Sequence, residues 1–194
     1  MALATEQGFP HWLALGTILQ GWVLAEQGEA GTVLMRQGMA AWRATGAELA
    51  RPYFLALLAE ACEKGGQVEE GLSVLAEALT AVHKTGERLY EAELYRLQGE
   101  LLLQSGGQGL ESGVSNPQAA AAETCFHQAL DTARRQQAKS FELRAALSLG
   151  RLWQRQGKGA EAHQMLTEIY AWFTEGFDTA DLQEARALLQ ELQA

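Results

Sequence analysis

The chain has 194 residues, with 15 Lys and Arg against 24 Asp and Glu, a formal charge of −9 and a pI near 5.0. Such a surface repels a phosphate backbone, because nucleic-acid affinity rests on basic side chains displacing counterions, so general nucleic-acid binding is excluded. Three prolines (Pro10, Pro52, Pro117) and few β-branched residues among abundant Ala, Leu, Gln and Glu exclude an extensive sheet and predict an all-α protein.

Taken in chain order, Glu6-Gln7-Gly8-Phe9 resembles the end of a helical hairpin, so the natural protein is expected to continue upstream. The first helix is expected over 11–27. Its run from Trp12 to Ala25 is apolar but too short to span a bilayer, has no basic stretch before it and is interrupted by Gln20 and glycines. Neither a membrane span nor a signal peptide is read, and a cytoplasmic location is expected. Helices follow at 30–44, 48–64, 68–84, 88–104, 118–138, 141–156 and 160–174, and a last one over about 180–192 places Leu182, Ala185, Leu188, Leu189 and Leu192 on one face. Pro52 is compatible with the third helix, since first-turn N–H groups have no partner inside a helix. Thr45-Gly46 and Thr85-Gly86 punctuate the chain as helix stops. The elements group into hairpins at about 9–45, 47–85, 87–138 and 140–175, with a terminal helix at 179–193.

A small–large–small triplet recurs at Gly31/Met35/Gly38, Gly71/Leu75/Ala78, Ala122/Phe126/Ala129 and Ala162/Leu166/Ile169. Its spacing is 40 residues, then 51, then 40 again, so about 11 residues are inserted in the third repeat. The insertion is the Ser-, Gly- and Asn-rich stretch 105–117, which reads as a flexible loop whose end caps and opens the next helix through Asn116 and Pro117. The triplet is a packing code. Two helices approach closely where a side chain is nearly absent, and the large residue fills the hole opposite.

Catalytic and metal-binding constellations are not legible, and no cofactor or metal site is expected. His11, His83, His127 and His163 fall in different helices without i, i+4 partners. Gly106-Gly107-Gln108-Gly109 has no following Lys-Ser/Thr and no preceding strand, so it is no phosphate loop. Cys62 and Cys125 lack metal-ligand spacing and read as free thiols in a reducing compartment, Cys62 as core filler. The many carboxylates, such as Glu69/Glu70 and Glu91/Glu93, read as solvated helix faces. Of the aromatics, Trp153, Phe126 and Trp172 fit core positions, whereas Trp12, Trp22, Tyr53 and Tyr95 are placed to line a groove.

The first helix of each hairpin carries a matching code: Leu149-Gly150 then Trp153, Gly99 then Leu102, Ala59 then Cys62, Gly21 then Leu24. With the triplets, this resembles the tetratricopeptide repeat over nearly the whole chain, although the period is longer than usual and Ile169 replaces a small residue. The runs 88–103, 122–137 and 170–192 are similar to the C-terminal tetratricopeptide region of large bacterial proteins that join an adenylate/guanylate cyclase-like domain to a predicted ATPase. The resemblance implies an α–α superhelix, a right-handed solenoid of four hairpins and a terminal helix. It also implies a protein-interaction scaffold in a signalling or regulatory protein, not an enzyme, or alternatively a small-molecule sensor. Its concave side would be lined by first helices, and so by Leu15, Ile18 and Trp22, by Tyr53, Ala56, Glu60 and Glu63, by Glu93, Arg96 and Glu100, and by Arg144, Leu147, Arg151 and Arg155.

Arg144, Arg151 and Arg155 return to one face of a helix and form a basic stripe suited to an acidic segment of a protein or peptide partner. The plainer alternative is a solvated face whose arginines pair with Glu100 or Glu142. Leu15, Ile18 and Trp22 are expected to be exposed at the end of the stack and to support a homodimer.

Overall fold

A computed structural model of the chain describes residues 3, 6–106 and 116–193. Those residues form the helices α1 (Pro10–Glu26), α2 (Thr32–Ala44), α3 (Arg51–Lys64), α4 (Val68–Thr85), α5 (Glu91–Ser105), α6 (Pro117–Gln136), α7 (Lys139–Arg155), α8 (Gly159–Tyr170) and α9 (Ala180–Gln193), with no strand among them. Composition predicts this all-α, hairpin-built class, and the boundaries follow local chemistry. Pro10, Pro52 and Pro117 each sit in a first turn. Asn116 caps α6, its side-chain oxygen accepting from the N–H of Gln118 at 2.9 Å and of Ala119 at 3.3 Å. α4 closes on Gly86, whose φ of 75° is left-handed, and α6 closes on Gln137 at φ 55°, a conformation that strains a residue with a Cβ.

The helices form two compact units, Met1–Tyr90 and Glu91–Ala194. In the first, α1 pairs with α2 and α3 with α4, and α3 also packs on α1 and α2. In the second, α5 pairs with α6 and α7 with α8; α7 also packs on α5 and α6, and α9 on α7 and α8. Every residue of the four triplets is buried. The code works as proposed from size alone. A Cβ on Gly38 would come within 2.7 Å of Ile18, one on Gly21 within 2.7 Å of Met35, and one on Gly99 would enter the ring of fully buried Phe126. Phe126, Leu143, Leu149, Leu152, Leu166, Leu182 and Leu188 join in the core of the second unit. Each such side chain contributes about 1.5–3 kcal/mol by leaving water.

Four expectations change. Glu91 and Glu93, read as part of a solvated helix face, are both buried. Ile18 is not exposed: it is fully buried, because it fills the hole that Gly38 leaves in α2. Trp172 is not core: α8 stops at Tyr170, short of 174, and the Trp172 ring lies 59% exposed beneath Lys139. Ala56 and Leu147 are buried and line no open face. Of the insertion read at 105–117, Ser105 ends α5 and Asn116 and Pro117 open α6, while 107–115 lie outside the described residues. No helix among the described residues is long and apolar enough to cross a membrane.

Candidate functional site

In the second unit α7 lies between α5 and α9, and its polar residues reach both neighbours. Arg144 meets Glu93 of α5 at 2.9 Å, and the Ser148 hydroxyl donates to Glu100 of α5 at 2.5 Å. On the other side Arg151 meets Glu184 of α9 at 2.8 Å. Arg96 supplies a second guanidinium to Glu93, with Nη2 at 2.7 Å and Nε at 3.1 Å from its carboxylate, and approaches Glu100 at 3.6 Å. Glu93 is buried, so its two arginines supply the compensation that a desolvated carboxylate requires. Arg96 and Arg144 thus meet at Glu93, with Glu100 beside Arg96 and Ser148, whereas Arg151 turns to the other side of α7 and pairs with α9. The expected pairing of the arginines with Glu100 or Glu142 is corrected for Arg144 and Arg151, whose partners are Glu93 and Glu184. Arg155 is exposed at the end of α7, and among the described residues no ion pair holds it.

In the first unit the equivalent residues are aromatic and acidic. Trp22 Nε1 donates to Glu60 at 3.4 Å, and Lys64 pairs with Glu60 at 3.4 Å and with Glu26. Tyr53 lies against Tyr90 with ring centroids 4.6 Å apart and against Phe54 at 5.4 Å. Trp22 and Leu15 are half-buried, Leu15 against the cluster of Ala14, Ile18, Trp42 and Phe54. Tyr53 and Glu60 therefore remain partly accessible, and Trp22 is tied to Glu60.

Sequence reasoning missed Ser148, Glu184, Glu26 and Lys64. Only Lys64 carried a local signal, the i, i+4 spacing from Glu60.

Two further carboxylates stand apart from these residues, Glu142 buried and Glu123 partly buried. Burial alone would raise the Glu142 carboxyl, but hydrogen bonds from Lys139 at 2.7 Å and Arg134 at 2.9 Å, and their charges, hold it below its ordinary range. At Glu123 burial is likewise outweighed, by the Trp153 indole N–H at 2.6 Å and by Lys158. The thiols move the other way. Burial pushes Cys62 up to about 11, with Glu70 adding to the shift and Arg36 opposing it, and burial also raises Cys125. Both are protonated, buried residues without the character of a nucleophile.

A cleft of about 200 Å³ opens between α7 and the α8–α9 connection, lined by Ser140, Leu143, Phe173, Glu175, Gly176, Thr179, Asp181 and Leu182. That is below the roughly 300–1,000 Å³ usual for small-molecule sites. No family model and no curated protein matches the chain.

Proposed function

We propose that the chain is a protein-interaction module of tetratricopeptide-like hairpins in a regulatory or signalling protein, without catalysis of its own, working in the cytoplasm. The observation that carries this reading is the row of first-helix side chains in each unit. Tyr53 and Glu60 in one unit, and Arg96, Glu100, Arg144, Arg151 and Arg155 in the other, lie on or beside helices whose opposite faces are fully used in packing. A peptide or protein segment is the fitting ligand, because such rows offer many shallow polar contacts and no deep pocket. An acidic segment would engage Arg155 directly and Arg151 by displacing Glu184, whose pair with Arg151 is largely exposed. The small-molecule alternative rests on the cleft beside Phe173, whose size favours it less.

Selection of binding peptides from a random library tests the proposal. Arg151→Ala/Arg155→Ala and Tyr53→Ala/Glu60→Ala variants should each weaken a class of selected peptides about tenfold, roughly 1.4 kcal/mol. Peptides indifferent to both variants, or a metabolite that raises the melting point by several degrees where no peptide does, would overturn it.

A further inference from the structure

From Gly159 to Ala185 the chain has six carboxylates and no Lys or Arg, so α8, the connection after it and the start of α9 are acidic throughout. Glu184 is held by Arg151. Among the described residues no ion pair holds Glu175 or Asp181, and both line the cleft between α7 and the α8–α9 connection. The floor of that cleft is apolar, with Leu143 and Leu182 buried and Phe173 half-buried.

An apolar floor below a charged rim suits an amphipathic side chain, whose stem lies on the floor while its head stays near water. Charge fixes the sign of that head. The N-terminal ends of α7 and α9 adjoin the cleft and contribute about +0.5 each, so the two carboxylates leave an excess of about one negative charge. Lys139, next to Ser140 of the cleft, is already held by Glu142 at 2.7 Å. Size fixes the rest, because about 200 Å³ admits one side chain more readily than a larger molecule.

We propose that the cleft anchors an arginine side chain of the partner segment. A guanidinium is weakly hydrated, stacks on an aromatic face such as that of Phe173 and pairs with carboxylates, whereas an ammonium is strongly hydrated and does not stack. Arginine is also favoured, and lysine disfavoured, at the centres of interfaces. Trp172, whose ring lies 5.2 Å from that of Phe173, and Phe177, next to Gly176, are exposed and supply aromatic contact beside the anchor. The inference rests on the reading of the chain as a peptide-binding module and names what the peptide carries. Asp181 lies one turn of α9 before Glu184, the partner of Arg151, so a segment that meets Arg151 with an acidic residue has its arginine close by.

N-acetyl-arginine amide, titrated into the isotope-labelled chain, should shift the backbone amides of Gly176, Thr179 and Leu182 and saturate at millimolar concentrations. N-acetyl-citrulline amide, similar in shape but uncharged, and N-acetyl-lysine amide should each bind several-fold more weakly. Glu175→Gln, in the exposed connection and outside any helix, should weaken the arginine probe several-fold, and Glu175→Gln/Asp181→Asn about tenfold. Citrulline or lysine probes that match arginine, or variants that leave its binding unaffected, would overturn the proposal. So would free arginine binding far more tightly than the blocked amide, the behaviour of a metabolite site. Library peptides that depend on Arg151 and Arg155, with no response of the cleft to the arginine probe, would overturn this inference and leave the module reading intact. A cleft that takes the probe while no library peptide binds would overturn the module reading and with it the partner segment.

Discussion

Glycine at 99 and glycine at 150 occupy matching places in two hairpins, yet their neighbours make opposite demands. A methyl group at Gly99 would enter the ring of Phe126, which is fully buried and has no room to retreat. The better helix propensity of alanine, about 1 kcal/mol, is outweighed by overpacking of about 1–3 kcal/mol. Gly99→Ala should therefore lower stability in urea, and Phe126→Leu should recover part of the loss. At Gly150 the methyl group would lie 3.4 Å from the end of the Leu188 side chain, an ordinary contact. Gly150→Ala should leave stability equal or up to about 1 kcal/mol higher. Glu142 makes a prediction of a different kind. Its folded-state pKa lies below the ordinary value, so its contribution is complete above pH of about 4.3 and is lost as pH falls through the folded value. Lys139 and Arg134 are partly exposed and can rehydrate when their partner is removed, which keeps the effect modest. Glu142→Gln should cost about 1 kcal/mol at pH 7 and much less at pH 3, as read by parallel urea melts.

At the scale of elements, the end of α6 carries strain that the end of α4 avoids. Gln137 adopts the left-handed conformation that Gly86 adopts in α4, and Gln137→Gly should stabilise the second unit by about 0.5–1 kcal/mol in equilibrium unfolding. An unchanged or lowered midpoint would mean that the glutamine side chain compensates for its backbone. Most elements were legible in the sequence because helix stops and the triplets depend on side-chain size and local chemistry. Every triplet residue is buried as its size requires. What was not legible needed rotation or partnership. The phase of α1 about its axis cannot be read from a helix apolar on all sides, so Ile18 was taken for the open face and Trp12 for a groove residue. The stop of α8 at Tyr170 has no Gly or Pro beside it to announce it, and Trp172 lies exposed beyond it. The pairing of Arg151 with Glu184, or of Ser148 with Glu100, joins helices whose approach no local pattern specifies. The partners of these polar residues were thus not legible in the sequence.

At the scale of the whole molecule, the extensive helix–helix contacts join helices that are adjacent in the chain or separated by one helix, in both units. That ladder of neighbours has a kinetic consequence. Little loop entropy must be lost before a stabilising contact forms, because each helix meets its partner after a short stretch of chain. Helical proteins with such local contacts refold in microseconds to milliseconds, against milliseconds to seconds for sheet proteins of distant pairings. Stopped-flow refolding from urea, followed by the tryptophans, should therefore run mainly in the millisecond range or faster. A dominant phase on the scale of seconds would point to a barrier that the contact pattern does not contain. Speed of this kind shortens the time during which the apolar length of α1 is exposed in a half-folded chain, when its uncharged surface would otherwise nucleate aggregates.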